Sequence, residues 1–160
     1  MKVFITTGTY DYLKKVKEKY PEEAMVIMVN EDTALLLHET STETLFNEPR
    51  KYEIIDSSGE IGLTGLAVMN NIPVTDEGRP LFEYSFKNRP MVIEKEQGFI
   101  ALRVLRPKTS NTYIILTIWE NELAFKNWQN SNNYSNEKSI ATPPKGSVAT
   151  AYVTKYQISE

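Results

Sequence analysis

The chain has 160 residues, of which 41% are hydrophobic and 24% charged, with a formal net charge of −3 and no cysteine. These values are typical of a globular protein, exclude disulfide and thiolate chemistry, and give no reason to expect nucleic acid or an anionic membrane as a partner. No run approaches the roughly 20 apolar residues of a membrane span, and the sequence after Ile5 is too polar for a signal peptide. We therefore expect a soluble, cytoplasmic protein.

The first part of the chain predicts several strands around one helix. Period-two runs indicate the strands, and apolar residues at helical spacing indicate a helix that Pro21 ends. A polar stretch from Asp56 to Gly59 then predicts a boundary, which divides the chain into a βαββ-like unit, residues 1–62, and a second unit, residues 63–160. The predicted elements are the strand Lys2–Thr7, the helix Tyr10–Tyr20, the hairpin Ala24–Val29 and Ala34–His38, and the strand Tyr52–Ile55.

The second unit predicts the order β-α-β-β-α-β, which is the ferredoxin-like α+β arrangement with helices on one face of a sheet. Its first helix starts near Arg79 and carries Leu81, Phe82, Tyr84 and Phe86. Asn121 is a good N-cap for its second helix, whose inner face is apolar and aromatic at Phe125 and Trp128. The predicted strands are Leu66–Val74, Phe99–Arg106, Thr112–Trp119 and Val148–Ile158, with a polar loop at residues 142–146.

Three ordered motifs in this unit resemble the antibiotic-biosynthesis-monooxygenase superfamily of dimeric α+β barrels: AVMNNIPVTDEGRPLFEYSF, GFIALRVLRP and TYIILTIWENELAFKNWQNSNNY. With MKVFITTGTYDYL and LLLHET near the start, the whole chain resembles the HmoB-like heme-degrading monooxygenases of the IsdG type, and more distantly the staphylococcal TRAP proteins. The resemblance implies heme as both substrate and cofactor, oxidative opening of the porphyrin ring, release of iron, and a reductase as external electron donor.

The family's working residues are an Asn on the first strand of this unit, a Trp on its last helix and a His farther on. The Trp matches Trp128, and the Asn matches Asn70 or Asn71. Alternation puts these two amides on opposite faces of the strand, and we favour Asn70 because it shares a face with Val68 and Ile72. Lys138 stands where the family has the His, and a protonated lysine has no lone pair for iron.

Several other residues have both a functional and a structural interpretation. Trp128 and Asn70 would touch the heme, and Phe86, Phe82 and Asn71 would contribute to binding it, although buried aromatic residues are more often only core. Tyr134 is a weak candidate for the iron ligand, whereas we interpret His38 and Trp119 as structural. Cations that could meet the heme propionates are Arg79, Arg89, Lys138 and Lys145.

Three alternatives stay open at this stage. The protein could bind heme without catalysis, it could be a TRAP-like interaction or stress protein, or it could be a cofactor-free oxygenase as other members of the superfamily are. Apolar residues on both faces of Thr112–Trp119 predict that both faces of the sheet are covered. Either a homodimer or the N-terminal unit of the same chain could cover the second face, and we prefer the monomer, a pseudo-dimer within one chain.

Overall fold

The computed structural model describes residues 1–87, 92–131 and 151–159. Within these residues the chain forms strands and helices whose bounds are β1 Lys2–Gly8, α1 Tyr10–Lys19, β2 Ala24–Val29, β3 Ala34–Thr40, β4 Arg50–Gly59, β5 Leu66–Pro73, α2 Arg79–Tyr84, a 3-10 helix Ile93–Lys95, β6 Phe99–Pro107, β7 Thr112–Trp119, α3 Glu122–Gln129 and β8 Tyr152–Ser159.

The strands form one closed antiparallel barrel in the order β1-β3-β2-β8-β5-β7-β6-β4. Strands β1–β4, the N-terminal half, and strands β5–β8, the C-terminal half, each have the internal order fourth, first, third, second. The halves join twice, because β2 pairs with β8 and β4 pairs with β6. Every described strand therefore has a neighbour on both sides.

The inner face of the barrel is the largest apolar core of the molecule. Side chains alternate along each strand, so every second residue points inward, as Val3 and Ile5 do on β1 and Ala67 and Met69 do on β5. Both halves contribute to this core, which packs them against each other through the barrel interior. Its buried members are Val3, Ile5, Val26, Met28, Leu35, Leu37, Tyr52, Ala67, Met69, Ala101, Leu105, Ile114, Leu116, Ile118, Tyr156 and Ile158.

One ion pair links the two halves at the inner face. Arg103 on β6 donates from Nε to Oε2 of Glu39 on β3 at 2.6 Å, and its Nη1 donates to the backbone oxygen of Ser58 at 3.1 Å. The arginine is 5% exposed, so its charge requires this partner.

The helices lie on the outside of the barrel. In the N-terminal half, Thr9 caps α1 by accepting a hydrogen bond from the Tyr12 amide at 3.2 Å, and Leu13 packs against β2 and β3. An irregular segment, residues 41–49, connects β3 to β4 in this half. In the C-terminal half, α3 lies at the corresponding place between β7 and β8. None of the helices in the described ranges is both long and apolar enough to cross a membrane.

Most of the predicted elements are confirmed, including the hairpin of β2 and β3 and the helix that begins after Asn121. The prediction that Asp56–Gly59 is a loose stretch was wrong, since β4 continues through Gly59 and pairs with β6 across a bulge at Ile54 and Asp56. The stretch consists of one aspartate, two serines and a glycine, which together have low strand propensity, and pairing with β6 overrides this propensity.

One further prediction needs correction. Phe86, predicted on the first helix of the second unit, lies beyond the end of α2, which stops at Tyr84. The last predicted strand is described as β8, Tyr152–Ser159, and its predicted start at Val148 falls outside the described residues. The short 3-10 helix Ile93–Lys95 was not predicted. The helices lie on one face of the sheet, as predicted, and this is the outer face because the sheet closes into a barrel. The division at residues 62 and 63 and the oligomeric state stay predictions, and the loop at 142–146 falls outside the described residues.

Candidate functional site

The candidate site lies on the outer face of the C-terminal half, and α3 supplies its first wall. Asn121 accepts a hydrogen bond from the Ala124 amide at 2.9 Å, and Glu122 sits in the first turn, where a carboxylate stabilises the helix dipole. The eight-residue helix buries Phe125 and Trp128 against the sheet. We call their surroundings the Trp128 cluster, with the buried members Leu66, Val68, Ile93, Trp119, Phe125 and Trp128.

Trp128 is held firmly by other aromatic rings. Its indole stacks on that of Trp119, with centroids 5.4 Å apart and planes 30° apart, and Phe125 lies 6.2 Å away on the same helix. Trp119 in turn donates from Nε1 to the Thr117 hydroxyl at 3.0 Å. This arrangement agrees with the structural role predicted for Trp119, which forms the platform that fixes the Trp128 ring.

A glycine just before β6 allows α3 to lie close to the backbone there. Gly98 has φ +85°, a backbone conformation that residues other than glycine rarely adopt. A Cβ atom at this position would stand 2.4 Å from the Cβ of Ala124 on α3. The Gly98 carbonyl also accepts a hydrogen bond from the Glu120 amide at 2.8 Å, just before the helix. The position of α3, and with it that of Trp128, therefore depends on having a residue without a side chain at Gly98.

We predict that Gly98→Ala will lower the free energy of unfolding by about 3 kcal/mol, because it combines left-handed strain with a steric clash against Ala124. Urea denaturation followed by tryptophan fluorescence measures the change. Gly62→Ala is the matched control, since a Cβ there meets no atom within 4 Å, and it should change stability by less than about 0.5 kcal/mol. Equal stability of the two variants would contradict the close approach.

The second wall follows α2. Phe82 packs edge-on against Phe86 at 5.3 Å and against Tyr113 of β7 at 4.6 Å between centroids. Such edge-to-face pairs add to the stabilisation from burial alone. We call this set the Phe86 cluster, with the buried members Ile72, Val74, Phe82, Phe86, Leu102, Val104, Tyr113 and Ile115.

A charged anchor attaches α2 to the sheet. Arg106 on β6 donates to Glu83 through Nε at 3.0 Å and through Nη2 at 2.5 Å, and the Tyr113 hydroxyl also donates to this carboxylate. The Arg79 guanidinium lies 5.6 Å from the Tyr113 ring centroid and donates to the Ser110 carbonyl. Because α2 has only six residues and no side-chain N-cap, its position depends largely on these contacts with β6 and β7.

The anchor also shifts the acidity of its members. Burial raises the pKa of Glu83, but the hydrogen bonds from Arg106 and Tyr113 together with the nearby guanidinium charges outweigh it, so the pKa lies below its usual value. Burial and the Glu83 carboxylate raise the pKa of Tyr113. The carboxylate is therefore charged and the phenol neutral near pH 7.

This depressed pKa predicts a pH-dependent contribution to stability. A folded-state pKa below the unfolded one stabilises the protein above the unfolded pKa, near 4.5, and the gain is lost as the pH falls through the folded pKa. Glu83→Gln should cost about 1 kcal/mol at pH 7, discounted for partial exposure, and close to nothing at about pH 3. Urea unfolding at both pH values measures the difference.

Glu53→Gln is the control for this experiment, because Glu53 is more exposed and lies 3.5 Å from Arg106 at its nearest. Its effect should be smaller at both pH values. A Glu83→Gln effect that does not change with pH would show that the carboxylate charge has no part in holding α2.

Asn70 lies between the two clusters on the outer face of β5. Val68, two residues before it, belongs to the Trp128 cluster, and Ile72, two residues after it, belongs to the Phe86 cluster. The Asn70 side chain is half-buried, and in the barrel register it faces Ile115 on one side and Val153 on the other. Asn70 is therefore a polar position on β5 that is flanked by two apolar, aromatic walls.

Asn71 points to the opposite face. It is 5% exposed, and its Nδ2 donates to the backbone oxygens of Met69 at 3.2 Å and Tyr152 at 3.1 Å and to the Thr154 hydroxyl at 3.2 Å. The amide thus cross-links β5 to β8. This placement fits the preference for Asn70, while the ligand-binding roles of both residues stay predictions.

His38 lies in the other half of the barrel, on β3. It is fully buried, its ring lies 6.4 Å from Phe4 and 5.7 Å from Phe46, and its Nε2 is 3.4 Å from a carboxylate oxygen of Glu23. It is therefore on a strand of the N-terminal half, as the sequence predicted. Tyr134, Lys138, Lys145 and Arg89, the remaining predicted candidates, lie outside the described residues.

Sequence reasoning missed one cation beside the site and the α2 anchor. Lys155 on β8 faces Val68 in the register, lies 5.0 Å from the Phe125 ring centroid and donates to Glu122 at 3.0 Å. Alternation along the predicted strand Val148–Ile158 could have placed Lys155 on one face of it, but the partner strand that makes this the outer face is not evident from the sequence. Among the described residues, no group of His, Cys, Asp or Glu side chains is arranged to hold a metal ion.

The sequence comparisons agree with this geometry. Residues 65–136, which include β5 and α3, match the profile of the family described as antibiotic biosynthesis monooxygenase. A heme-degrading monooxygenase from Listeria monocytogenes is 30% identical over 130 residues, which cover 81% of this chain and 78% of that protein. This chain belongs to the antibiotic biosynthesis monooxygenase family. Membership supports an oxygenase-type enzyme.

A second kind of relative shares most of the chain. The signal transduction protein TRAP from Staphylococcus epidermidis is 23% identical over 135 residues, covering 84% of this chain and 81% of that protein. Both kinds of relative extend well beyond the matched family region, so they also resemble the N-terminal half.

Solved structures confirm the fold over nearly the whole chain. A structure described as a major regulator of staphylococcal pathogenesis has a TM-score of 0.86 at 22% identity and covers 98% of both chains. The heme-degrading enzyme LmHde from Listeria monocytogenes has a TM-score of 0.76 at 23% identity, covering 98% of this chain and 99% of that one. At these identities the likeness establishes the fold alone.

Proposed function

We propose that this protein is a cytoplasmic heme-degrading monooxygenase that binds heme on the outer face of β5, between the Trp128 cluster and the Phe86 cluster. The observation that carries the proposal is the half-buried Asn70 amide flanked along one strand by these two clusters. The heme-degrading relative, at 30% identity, supports the choice of ligand. We expect the protein to act as a monomer.

The residues present fit such a ligand. A porphyrin is flat and largely apolar, so aromatic walls on either side of one amide suit its faces and its polar edge. Lys155 and Arg79 place positive charge near the two walls, where heme carboxylates would be stabilised. Heme when bound supplies the redox iron that activates dioxygen, with electrons from a reductase, and its porphyrin ring is the part that is cleaved.

The protein's contribution would be binding, orientation and exclusion of water. The stacked Trp119 leaves the Trp128 ring little freedom to move, so Trp128 would pack firmly against a bound heme and hold its orientation. Asn70 can donate a hydrogen bond from its amide to a polar group of the bound molecule. With Lys138 at the position of the family's histidine, ligation of iron would fall to water, to Tyr134 or to another residue.

Titration of the protein with hemin tests the proposal. We expect a saturable Soret shift at one heme per chain, followed by loss of the band in the presence of dioxygen and a reductant. The loss should persist when catalase is added, since peroxide is not expected to do the work. Absence of saturable binding would refute the heme assignment, and binding without degradation would leave a heme-binding protein that is not an enzyme.

Replacing each of the two neighbouring asparagines by valine separates effects on function from effects on stability. Asn70→Val should reduce heme degradation about tenfold, the loss of one hydrogen bond in the site, and should cost less stability than Asn71→Val, because Asn70 is only half-buried. Asn71→Val should leave degradation largely intact but cost about 1–3 kcal/mol of stability, because it leaves buried carbonyl groups unpaired. The reverse pattern would mean that the site lies inside the barrel.

The missing histidine gives a further prediction. Lys138→His should tighten hemin binding and produce a spectrum typical of imidazole ligation, because neutral imidazole offers a lone pair to iron. Trp128→Phe should slow ring opening more than it weakens binding. His38→Ala is the control. If His38→Ala alone abolished the heme spectrum, His38 would be the iron ligand and the proposed location would be wrong.

The TRAP relatives favour a second candidate, an interaction or stress protein without a heme reaction. A cofactor-free oxygenase acting on an electron-rich organic substrate is a third candidate, since the family includes the oxygenase type. Neither requires a heme-shaped pocket, so hemin titration distinguishes both from the main proposal.

A further inference from the structure

The two halves of the barrel are related by an approximate two-fold correspondence that can be read from the strand pairing. The first residue of β1, Lys2, faces Thr40 at the end of β3, and the first residue of β5, Leu66, faces Trp119 at the end of β7. Counting four residues along each strand brings Thr6 to the position that Asn70 occupies in the other half. Both side chains lie on the outer face, since Ile5 and Met69 point into the barrel.

A cleft lies at this corresponding position in the N-terminal half. It has a volume of about 180 Å³ and is bounded by Thr6 of β1, by Tyr12, Val16 and Lys19 of α1, and by Phe46 of the segment 41–49. That segment stands where the C-terminal half has α3. The N-terminal half therefore has its own outer cleft between a helix and a connecting segment, separate from the candidate heme site.

The chemistry of this cleft differs from that of the heme site. Its apolar surface includes the Tyr12, Tyr20 and Phe46 rings together with Val16 and Leu45. Phe46 also packs on the fully buried His38 ring, with ring centroids 5.7 Å apart, which supports that wall. Its charge comes from Lys19, whose Nζ lies 5.5 Å from the Tyr20 ring centroid and forms no salt bridge with another described residue.

Polar groups in the cleft are available to a ligand. The Thr6 hydroxyl and the Tyr12 and Tyr20 phenols make no hydrogen bond to any other residue within the described ranges. No carboxylate lines the cleft. Its volume is far below that of a pocket for a drug-sized or porphyrin ligand and close to that of a cavity that accepts one benzene ring.

We propose that this cleft binds a single-ring aromatic carboxylate. The ring would lie between Phe46 and the side chains of α1, and the carboxylate would meet the Lys19 ammonium. Thr6 and the tyrosine hydroxyls would supply hydrogen bonds at the polar edge. Binding here is independent of heme binding at Asn70, so one site can be lost while the other is kept.

Amide chemical shifts of the ¹⁵N-labelled full chain test this proposal with benzoate as the probe. Benzoate should shift the amides of residues 10–20 and 44–47 saturably, with a Kd of about 1 mM. Benzylamine, which has the same ring and the opposite charge, should bind at least about fivefold more weakly, because it faces a cation without a carboxylate partner.

Two variants and a control locate the ligand. Lys19→Gln should raise the benzoate Kd about fivefold, whereas Lys15→Gln, an exposed lysine of the same helix outside the cleft, should not change it. Val16→Trp should fill the cleft and abolish binding of both probes. Equal binding of benzoate and benzylamine, an unchanged Kd in Lys19→Gln, shifts centred on Asn70 and Trp128 instead, or no shifts at all would each overturn the proposal.

Discussion

The rest of the structure depends on the two strand pairings that close the barrel. An open four-stranded sheet has two edges whose amide and carbonyl groups must find partners, and here the edge strands of one half satisfy those of the other, β2 with β8 and β4 with β6. The same closure brings the two inner faces together, so that residues of both halves, from Val3 on β1 to Ile158 on β8, contribute to one core. Neither half could bury its inner face alone.

This shared interior leaves the outer faces free to differ. On the C-terminal half, two helices hold aromatic clusters at either side of Asn70, with Trp128 fixed by Trp119 and α2 fixed by Glu83. On the N-terminal half, α1 and the segment 41–49 enclose a cleft over Thr6. The barrel thus acts as a common frame on which each outer surface can follow its own chemistry.

The sequence predicted the elements whose signals are local. Asn121 as N-cap, the apolar spacing to Trp128 and the stop at Pro21 all depend on residues within a few positions of each other, and the structure has helices there. Alternation also predicted that Asn70 and Asn71 face opposite ways. The family resemblance, and not periodicity, turned Trp128 from a core residue into a candidate for function.

Features that depend on distant partners could not be predicted in this way. Asp56–Gly59 has the composition of a loop and is a strand only because it pairs with β6, over 40 residues away in the sequence. Barrel closure likewise depends on pairing between strands that are far apart in the sequence. The anchor of Glu83, Arg106 and Tyr113 joins three elements whose sequence spacing gives no sign of contact. Correspondence between Thr6 and Asn70 appears only in the register, since their neighbouring residues have little in common.

The position of β8 has a consequence for how the chain folds during synthesis. Because β8 is the last strand and separates β2 from β5 in the barrel, the first half emerges from the ribosome long before its final neighbour exists. Until then β2 exposes an unpaired edge and the apolar inner side of its sheet, the surfaces that promote aggregation in nascent chains. Closure requires contacts between residues as far apart in the sequence as Ile27 and Ser159, and long-range strand pairing of this kind is intrinsically slow.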